Sequence, residues 1–126
     1  MKFEYKLHPV SVGTTTRRTP YSPNTLNRVH WATRYKWKKA WQETTFWCTK
    51  HAKVPPIKMP HIVITVYANS LQDRDNTWAS LKAIFDGIVQ AGVMDNDDND
   101  HCTMDVKQVK VKTRAEEGIT ITISKK

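Results

Sequence analysis

The sequence predicts a single α+β domain over residues 1–126: a mixed β-sheet in β-α-β-α-β-β order with helices packed against it. Three observations carry this. Period-2 alternation marks both ends of the chain, a short β-branched apolar run marks its middle, and two longer segments of helical spacing lie between them. With 126 residues, 39% of them hydrophobic and five Trp among them, the chain has enough apolar surface for one core and little for a second.

At the start, Phe3, Tyr5 and Leu7 alternate with Lys2, Glu4 and Lys6, as in a half-buried strand. Residues 11–24 (SVGTTTRRTPYSPN) have loop composition. A helix is expected from Asn24 or Thr25 toward Lys50, burying Leu26, Val29, Ala32, Trp37, Trp41 and Cys48. Val54-Pro55-Pro56 ends it, because proline lacks the backbone donor and clashes with the preceding turn. Residues 61–68 (HIVITVYA) read as a central strand buried on both faces. A second helix is predicted from about Thr77 to Ala91, with Trp78, Leu81, Phe85 and Ile88 on one face and Gly92 as its stop. Val109 and Val111 alternate with Lys110 and Lys112 in a third strand. Ala115–Gly118 reads as a hairpin turn, and Ile119, Ile121 and Ile123 alternate with Thr120, Thr122 and Ser124 in a fourth. The central strand–helix–strand unit predicts a right-handed parallel crossover, and the last two strands an antiparallel hairpin.

No apolar run is long enough to span a bilayer, and MKFEYKLHPV has no apolar signal core, so neither membrane insertion nor export is expected. Cys48 and Cys102 are too few for a disulfide framework, which makes a reducing cytoplasm, of a bacterium or of a phage host, the expected compartment.

The formal net charge is +8, and it is unevenly distributed. All eight aspartates lie between Asp73 and Asp105, with only Arg74 and Lys82 against them, a local balance of −6; the remainder of the chain stands at +14. A basic body attracts polyanions, whereas an acidic focus attracts cations; both together suit a metal ion held beside a phosphate. A solvated surface on which the charges simply neutralise one another accounts for the same balance.

In an extended segment Asp73 and Asp75 point to one side, so their carboxylates can converge. Two close carboxylates repel; a divalent cation removes that penalty. Mg²⁺ takes few hard oxygen ligands from protein and leaves room for water and phosphate, and Mn²⁺ can stand in for it. The loop Asp95-Asn96-Asp97-Asp98-Asn99-Asp100 can supply a third acid, but a helix over residues 76–92 would span about 24 Å, so the loop must double back or the helix must be shorter or broken. Asp75 and Asn76 also suit a helix N-cap, and Asp97 and Asp98 also suit a solvated turn. Lys82 lies four residues before Asp86, as a surface ion pair would, yet it is also a cation that could face a phosphate.

Arg17, Arg18, Arg28, His30, Arg34, Lys36, Lys38 and Lys39 precede the acidic region, interleaved with Trp31, Tyr35, Trp37 and Trp41. Cations bind phosphate and aromatics can stack on unpaired bases. Trp37 and Trp41, four residues apart, read as core. The Arg17-Arg18 pair reads as a DNA contact.

The ordered set Asp73-Arg74-Asp75-Asn76, Lys82-Ala83-Ile84-Phe85-Asp86-Gly87, Ala91-Gly92-Val93 and Asp97-Asp98 resembles the RusA family of Holliday junction resolvases. The opening Asn24-Thr25-Leu26-Asn27 through His30-Trp31-Ala32 is similar to its phage-type members. The resemblance implies a homodimeric, Mg²⁺-dependent endodeoxyribonuclease that binds four-way DNA junctions and nicks two strands symmetrically, in recombination and repair. Position by position, it implies Asp73 and Asp75 as metal carboxylates, Lys82 as the catalytic lysine, and Asp97 or Asp98 as the third carboxylate. Arg17, Arg18, Arg28, His30, Arg34, Lys36, Arg74 and Asn76 are then the expected DNA contacts. Lys82 stands three residues further from Asn76 than in the family's type member, nearly one helical turn. The alternatives are a non-catalytic branched-DNA-binding module and a nuclease of broader flap or fork specificity. An EF-hand fails because its sixth position is Asp100 rather than Gly and its twelfth is Val106 rather than Glu. A zinc site from Cys48, His51, His101 and Cys102 is disfavoured by the adjacency of the last two, and both cysteines read more simply as buried small residues.

Overall fold

β4 (Pro60–Ala68) is the axis of the sheet, flanked by β6 (Gly118–Lys125) on one side and β5 (Thr103–Lys110) on the other, with β1 (Lys2–Lys6) outside β6. The computed structural model describes residues 2–72, 74–95 and 102–125. β4 runs parallel to β5 and antiparallel to β6, so the sheet is mixed, as the sequence predicts. One row of side chains crosses all four strands on the same face. Ile62 stands between Ile123 and Met104, Ile64 between Ile121 and Val106, and Val66 between Ile119 and Gln108; Phe3 and Tyr5 extend the row from β1. Ile62, Ile64, Ile119, Ile121 and Ile123 are buried there. Fully burying an aliphatic side chain contributes about 1.5–3 kcal/mol, so this face dominates the stability of the sheet.

Helices cover that face. The expected first helix is two: α1 (Pro23–Leu26) and α2 (Trp31–His51). His30 caps α2, its Nδ1 accepting from the Ala32 N–H at 3.2 Å. Trp37, Trp41, Thr45, Cys48 and Thr49 line the buried side of α2, which makes both tryptophans core, as their spacing predicts. Lys53, in a left-handed turn, follows the helix, before the prolines. The second predicted helix is also broken, at Leu81, into α3 (Arg74–Ser80) and α4 (Lys82–Gln90). Leu81, Ile84, Phe85 and Ile88 are buried, and Trp78 stacks on Phe85 at 5.8 Å. Gly87 lets α4 lie directly on α2: a Cβ there would stand 2.6 Å from the Gln42 carbonyl oxygen.

Three expectations are corrected. Residues 11–24 are not all loop, because β2 (Val10–Val12) and β3 (Thr15–Arg17) pair as a small hairpin around Gly13, whose positive φ suits the turn. The last two strands are not a hairpin. Residues 114–116 form a 3-10 turn that carries the chain past β4, and β6 inserts between β4 and β1. The reason is composition. β5 carries Asp105, Lys107 and Lys110 and suits an edge, whereas β6 has no charge before Lys125 and suits the interior. Likewise, β4 is central, but only one face of it is fully buried and the other is half-buried. No helix among the described residues is long and apolar enough to cross a membrane.

Candidate nucleic-acid interface

The C-terminal end of β4 brings Arg17 and Arg18, two of the expected functional residues, near Gln72, the residue before Asp73. The chain leaves the sheet at Ala68, whose carbonyl accepts from Val111 N at 3.0 Å, and the Asn69 N–H donates to Glu117 Oε2 at 3.1 Å. Gln72 is then held at both backbone polar groups by the Gln108 side chain, with N→Oε1 at 3.0 Å and Nε2→O at 2.9 Å. Gln108 ends the inner row Met104, Val106, Gln108, so the strand period itself aims its amide at this loop. The side-chain Oε1 of Gln72 is buried and has no hydrogen-bond partner among the described residues. Arg74, Asp75 and Asn76 form the first turn of α3, so the helix begins earlier than expected and Asp75 is helical, not part of an extended segment that would put it on the same side as Asp73 by strand period. Asp73, Asp97 and Asp98 lie outside the described residues.

The hairpin delivers Arg17 to the same end. Its Nε donates to the Thr19 carbonyl at 3.0 Å, and its guanidinium lies over the Tyr21 ring, 3.9 Å from the centroid. Tyr21 in turn meets Trp37 edge-on at 5.2 Å. A buried tryptophan thus fixes a tyrosine that fixes an arginine. Arg18 Nη1 donates to the Arg114 carbonyl at 3.1 Å, tying the hairpin to the 3-10 turn. Two clefts result. One of about 460 Å³ is lined by Arg17, Arg18, Asn69, Arg114 and Glu117. The other, of about 320 Å³, is lined by Arg17, Gln72, Thr77, Gln108 and Glu117. They are contiguous, sharing Arg17, Thr19, Asn69 and Glu117 as a common wall.

Lys82 opens on a different groove, between α2 and α4, of about 920 Å³. It pairs with Asp86 at 3.2 Å; the Lys82 side chain is largely exposed and that of Asp86 partly so. Lys38, Lys39, Tyr35 and Trp78 line the same groove, and Ser80 borders both it and the Gln72 cleft. The structure therefore puts α3 between Lys82 and the Gln72–Gln108 clamp. Arg34 reaches Asn27 Oδ1 at 3.4 Å, while Arg28 and Lys36 are exposed on the flank of this helical layer.

Among the described residues no group of three His, Cys, Asp or Glu side chains is placed to hold a metal. Cys48 and Cys102 are both buried and not joined, as the simpler reading of them expects. Parallel pairing fixes where the flanks of the acidic loop lie. Thr103 stands beside His61 and Lys110 beside Ala68, so Cys102 enters at the opposite end of β4 from Gln72. On the other flank, the Val93 carbonyl accepts from Ile57 N at 2.9 Å, which places the end of α4 just before β4 begins. The seven steps from His61 to Ala68 span about 23 Å.

Gln108, Arg114 and Asn69 were not among the residues singled out from sequence. Gln108 carried a signal, a polar residue at the third position of an apolar row; Arg114 carried none, since its place depends on the 3-10 turn. No protein-family model matches the chain, and no curated protein matches it either.

Proposed function

We propose that this chain is a Mg²⁺-dependent endodeoxyribonuclease of the RusA type that nicks branched DNA, four-way junctions above all. The observation that supports this best is an arginine-lined cleft that reaches, at one end of β4, Gln72, the residue next in sequence to Asp73. Phosphate-binding cations beside metal-binding carboxylates suit a phosphodiester that is both held and cut. The donor chemistry fits a hard cation. Asp73, Asp75 and one of Asp97 or Asp98 would supply carboxylates, and Gln72 Oε1, which has no hydrogen-bond partner among the described residues, is a neutral oxygen next in sequence to the first of them. Bound there, Mg²⁺ or Mn²⁺ supplies an activated water and charge stabilisation at the phosphate.

The chain's own residues do the rest. Gln108 holds the backbone before Asp73. Arg17 and Arg18 contact backbone phosphate, and Arg28, His30, Arg34 and Lys36, with Arg74 and Asn76, extend the contact surface. These are contacts that position DNA without reading its sequence. Lys82, on the neighbouring groove, is the cation available to a second segment of the strand. The acidic loop's flanks lie at the far end of the sheet. Asp98 is three residues from Asp95 and four from Cys102, a reach of about 10–14 Å against about 23 Å. A homodimer resolves this, with one copy's Asp73 and Asp75 facing its partner's Asp97 and Asp98.

The test is cleavage of a synthetic four-way junction with and without Mg²⁺, using Asp75→Asn as control. Paired nicks from the wild type alone support the reading. Binding without cleavage by both proteins would make the chain a non-catalytic junction-binding module, and equal cleavage of flaps or forks would make it a nuclease of broader specificity.

A further inference from the structure

We infer that the cleft formed by Arg17, Arg18 and Arg114 is a clamp for one backbone phosphate of a nucleic-acid strand, seated beside the Gln72 cleft. Three guanidinium-bearing residues line a single cleft of about 460 Å³. None has an ion-pair partner among the described residues. The one carboxylate there, on Glu117, is engaged by the Asn69 N–H at 3.1 Å, and Glu116, on the outside of the turn, accepts from the Thr113 hydroxyl at 2.9 Å. Three positive groups against one negative leave a local surplus of positive charge that folding alone does not explain, since like charges held near one another repel. An anion relieves it.

Two of the three arginines are also held in place rather than loose. Arg17 is fixed by the Thr19 carbonyl and the Tyr21 ring, and Arg18 by the Arg114 carbonyl. Each bond uses one side of a guanidinium and leaves other N–H donors for a ligand. Planar guanidinium forks match tetrahedral phosphate oxygens in pairs, which lysine does not. The cleft is open and polar and bears no aromatic ring to take a base, so it suits a phosphodiester and carries no sequence preference. Because Arg17 walls both clefts, a phosphate seated here leads the next stretch of strand toward Gln72. Arg114 thereby becomes a nucleic-acid contact that no periodicity or charge run marks.

The inference rests on the DNA-binding half of the function proposed above, and its test separates the two. Binding of a fluorescein-labelled four-way junction to the full chain is followed by anisotropy as salt is varied. Arg114→Ala keeps the backbone carbonyl that Arg18 uses. It is expected to weaken binding about tenfold and to lower the slope of log affinity against log salt by about one, the signature of one lost phosphate contact. Lys125→Ala, an exposed cation at the opposite end of β6, is expected to leave the slope within half a unit. If the wild type binds and Arg114→Ala keeps its slope, the clamp is refuted while DNA binding stands. If the wild type does not bind the junction, the proposed function fails, and the clamp is judged with inorganic phosphate alone: loss of phosphate-induced shifts at the Asn69 and Arg18 amide resonances in Arg114→Ala supports it, and their absence in the wild type overturns it.

Discussion

Gln108 holds both backbone polar groups of Gln72, a residue 36 positions earlier, through two hydrogen bonds of 3.0 and 2.9 Å. The amide acts as a one-residue extension of β5, pairing with a segment that has already left the sheet. Gln108→Leu keeps the volume and removes both bonds, leaving a partly buried N–H and C=O unsatisfied, at a cost of about 1–3 kcal/mol. Urea unfolding should show that loss, and native-state hydrogen exchange should show the Gln72 amide opening faster. Unchanged exchange at Gln72 would mean the clamp is not what orders this loop.

Gly87 sets how closely α4 approaches α2. A Cβ at this position would meet the Gln42 carbonyl at 2.6 Å and the Thr45 Cβ at 2.7 Å. The first obstacle is backbone within a helix and cannot rotate away. Alanine favours a helix interior by about 1 kcal/mol over glycine, yet overpacking costs about 1–3 kcal/mol, so Gly87→Ala should lower the Tm. Gly118→Ala, where a Cβ meets nothing within 4 Å, is the control and should leave it nearly unchanged. Equal melting of the two variants would rule out the tight crossing.

Tyr5 buries its phenol against α2, where its hydroxyl lies 2.7 Å from Thr49 Oγ1. Burial pushes the phenol well above its ordinary ionisation, and the Thr49 bond only partly opposes this. The folded state therefore holds this proton more tightly than the unfolded chain does. Its contribution is complete below about pH 10, the unfolded value, and declines as pH rises beyond it. Tyr5→Phe should cost about 1 kcal/mol at neutral pH, because the Thr49 hydroxyl loses a partner. It should also remove this part of the alkaline loss of stability. Urea midpoints of both proteins from pH 7 to 11 should converge as pH rises; a constant difference would refute the assignment.

These elements differ in how far they can be read from the residues. The strands at β1 and β6 follow directly from alternation, β4 from its β-branched apolar run, and the core role of Trp37 and Trp41 from their four-residue spacing. The helix breaks at 27–30 and at Leu81 do not, since no proline or glycine marks either. Strand order is also hidden. Ala115–Gly118 has the composition of a hairpin turn, but which neighbour β6 takes is decided by competition between an uncharged and a charged strand for the interior. The acidic segment and the arginines at 17 and 18 were visible as charge. The meeting of the arginines with Arg114, and of Gln72 with Gln108, depends on a 3-10 turn and a parallel register, both of which are tertiary.

Lys82 can be separated into its two roles. Its pair with Asp86 is exposed and spaced i, i+4, so the stability at stake is about 0.3–0.5 kcal/mol. Lys82→Met preserves the helix and the apolar stem. If Lys82 faces a phosphate during cleavage, junction cutting should fall by about a hundredfold or more while the Tm barely moves. Asp86→Asn removes the same pair and should leave cleavage nearly intact. Parallel losses in both variants would reduce Lys82 to a surface ion pair.

The opposite placement of Gln72 and Cys102 on the sheet makes the proposed carboxylate set divisible between two copies. Asp75→Asn and Asp98→Asn, each alone, should abolish cleavage, with Asp97→Asn deciding which neighbour is the third acid. If the set is completed across a two-fold, mixing the two inactive variants gives heterodimers with one intact site and one doubly altered site. Random exchange makes half the dimers heterodimers, so about a quarter of the wild-type sites return, and each junction receives one nick rather than a pair. If instead each chain assembles its own set, every chain in the mixture carries a damaged site and no activity returns. Circular dichroism of each variant before mixing checks that both are folded, so that recovered nicking reports shared carboxylates.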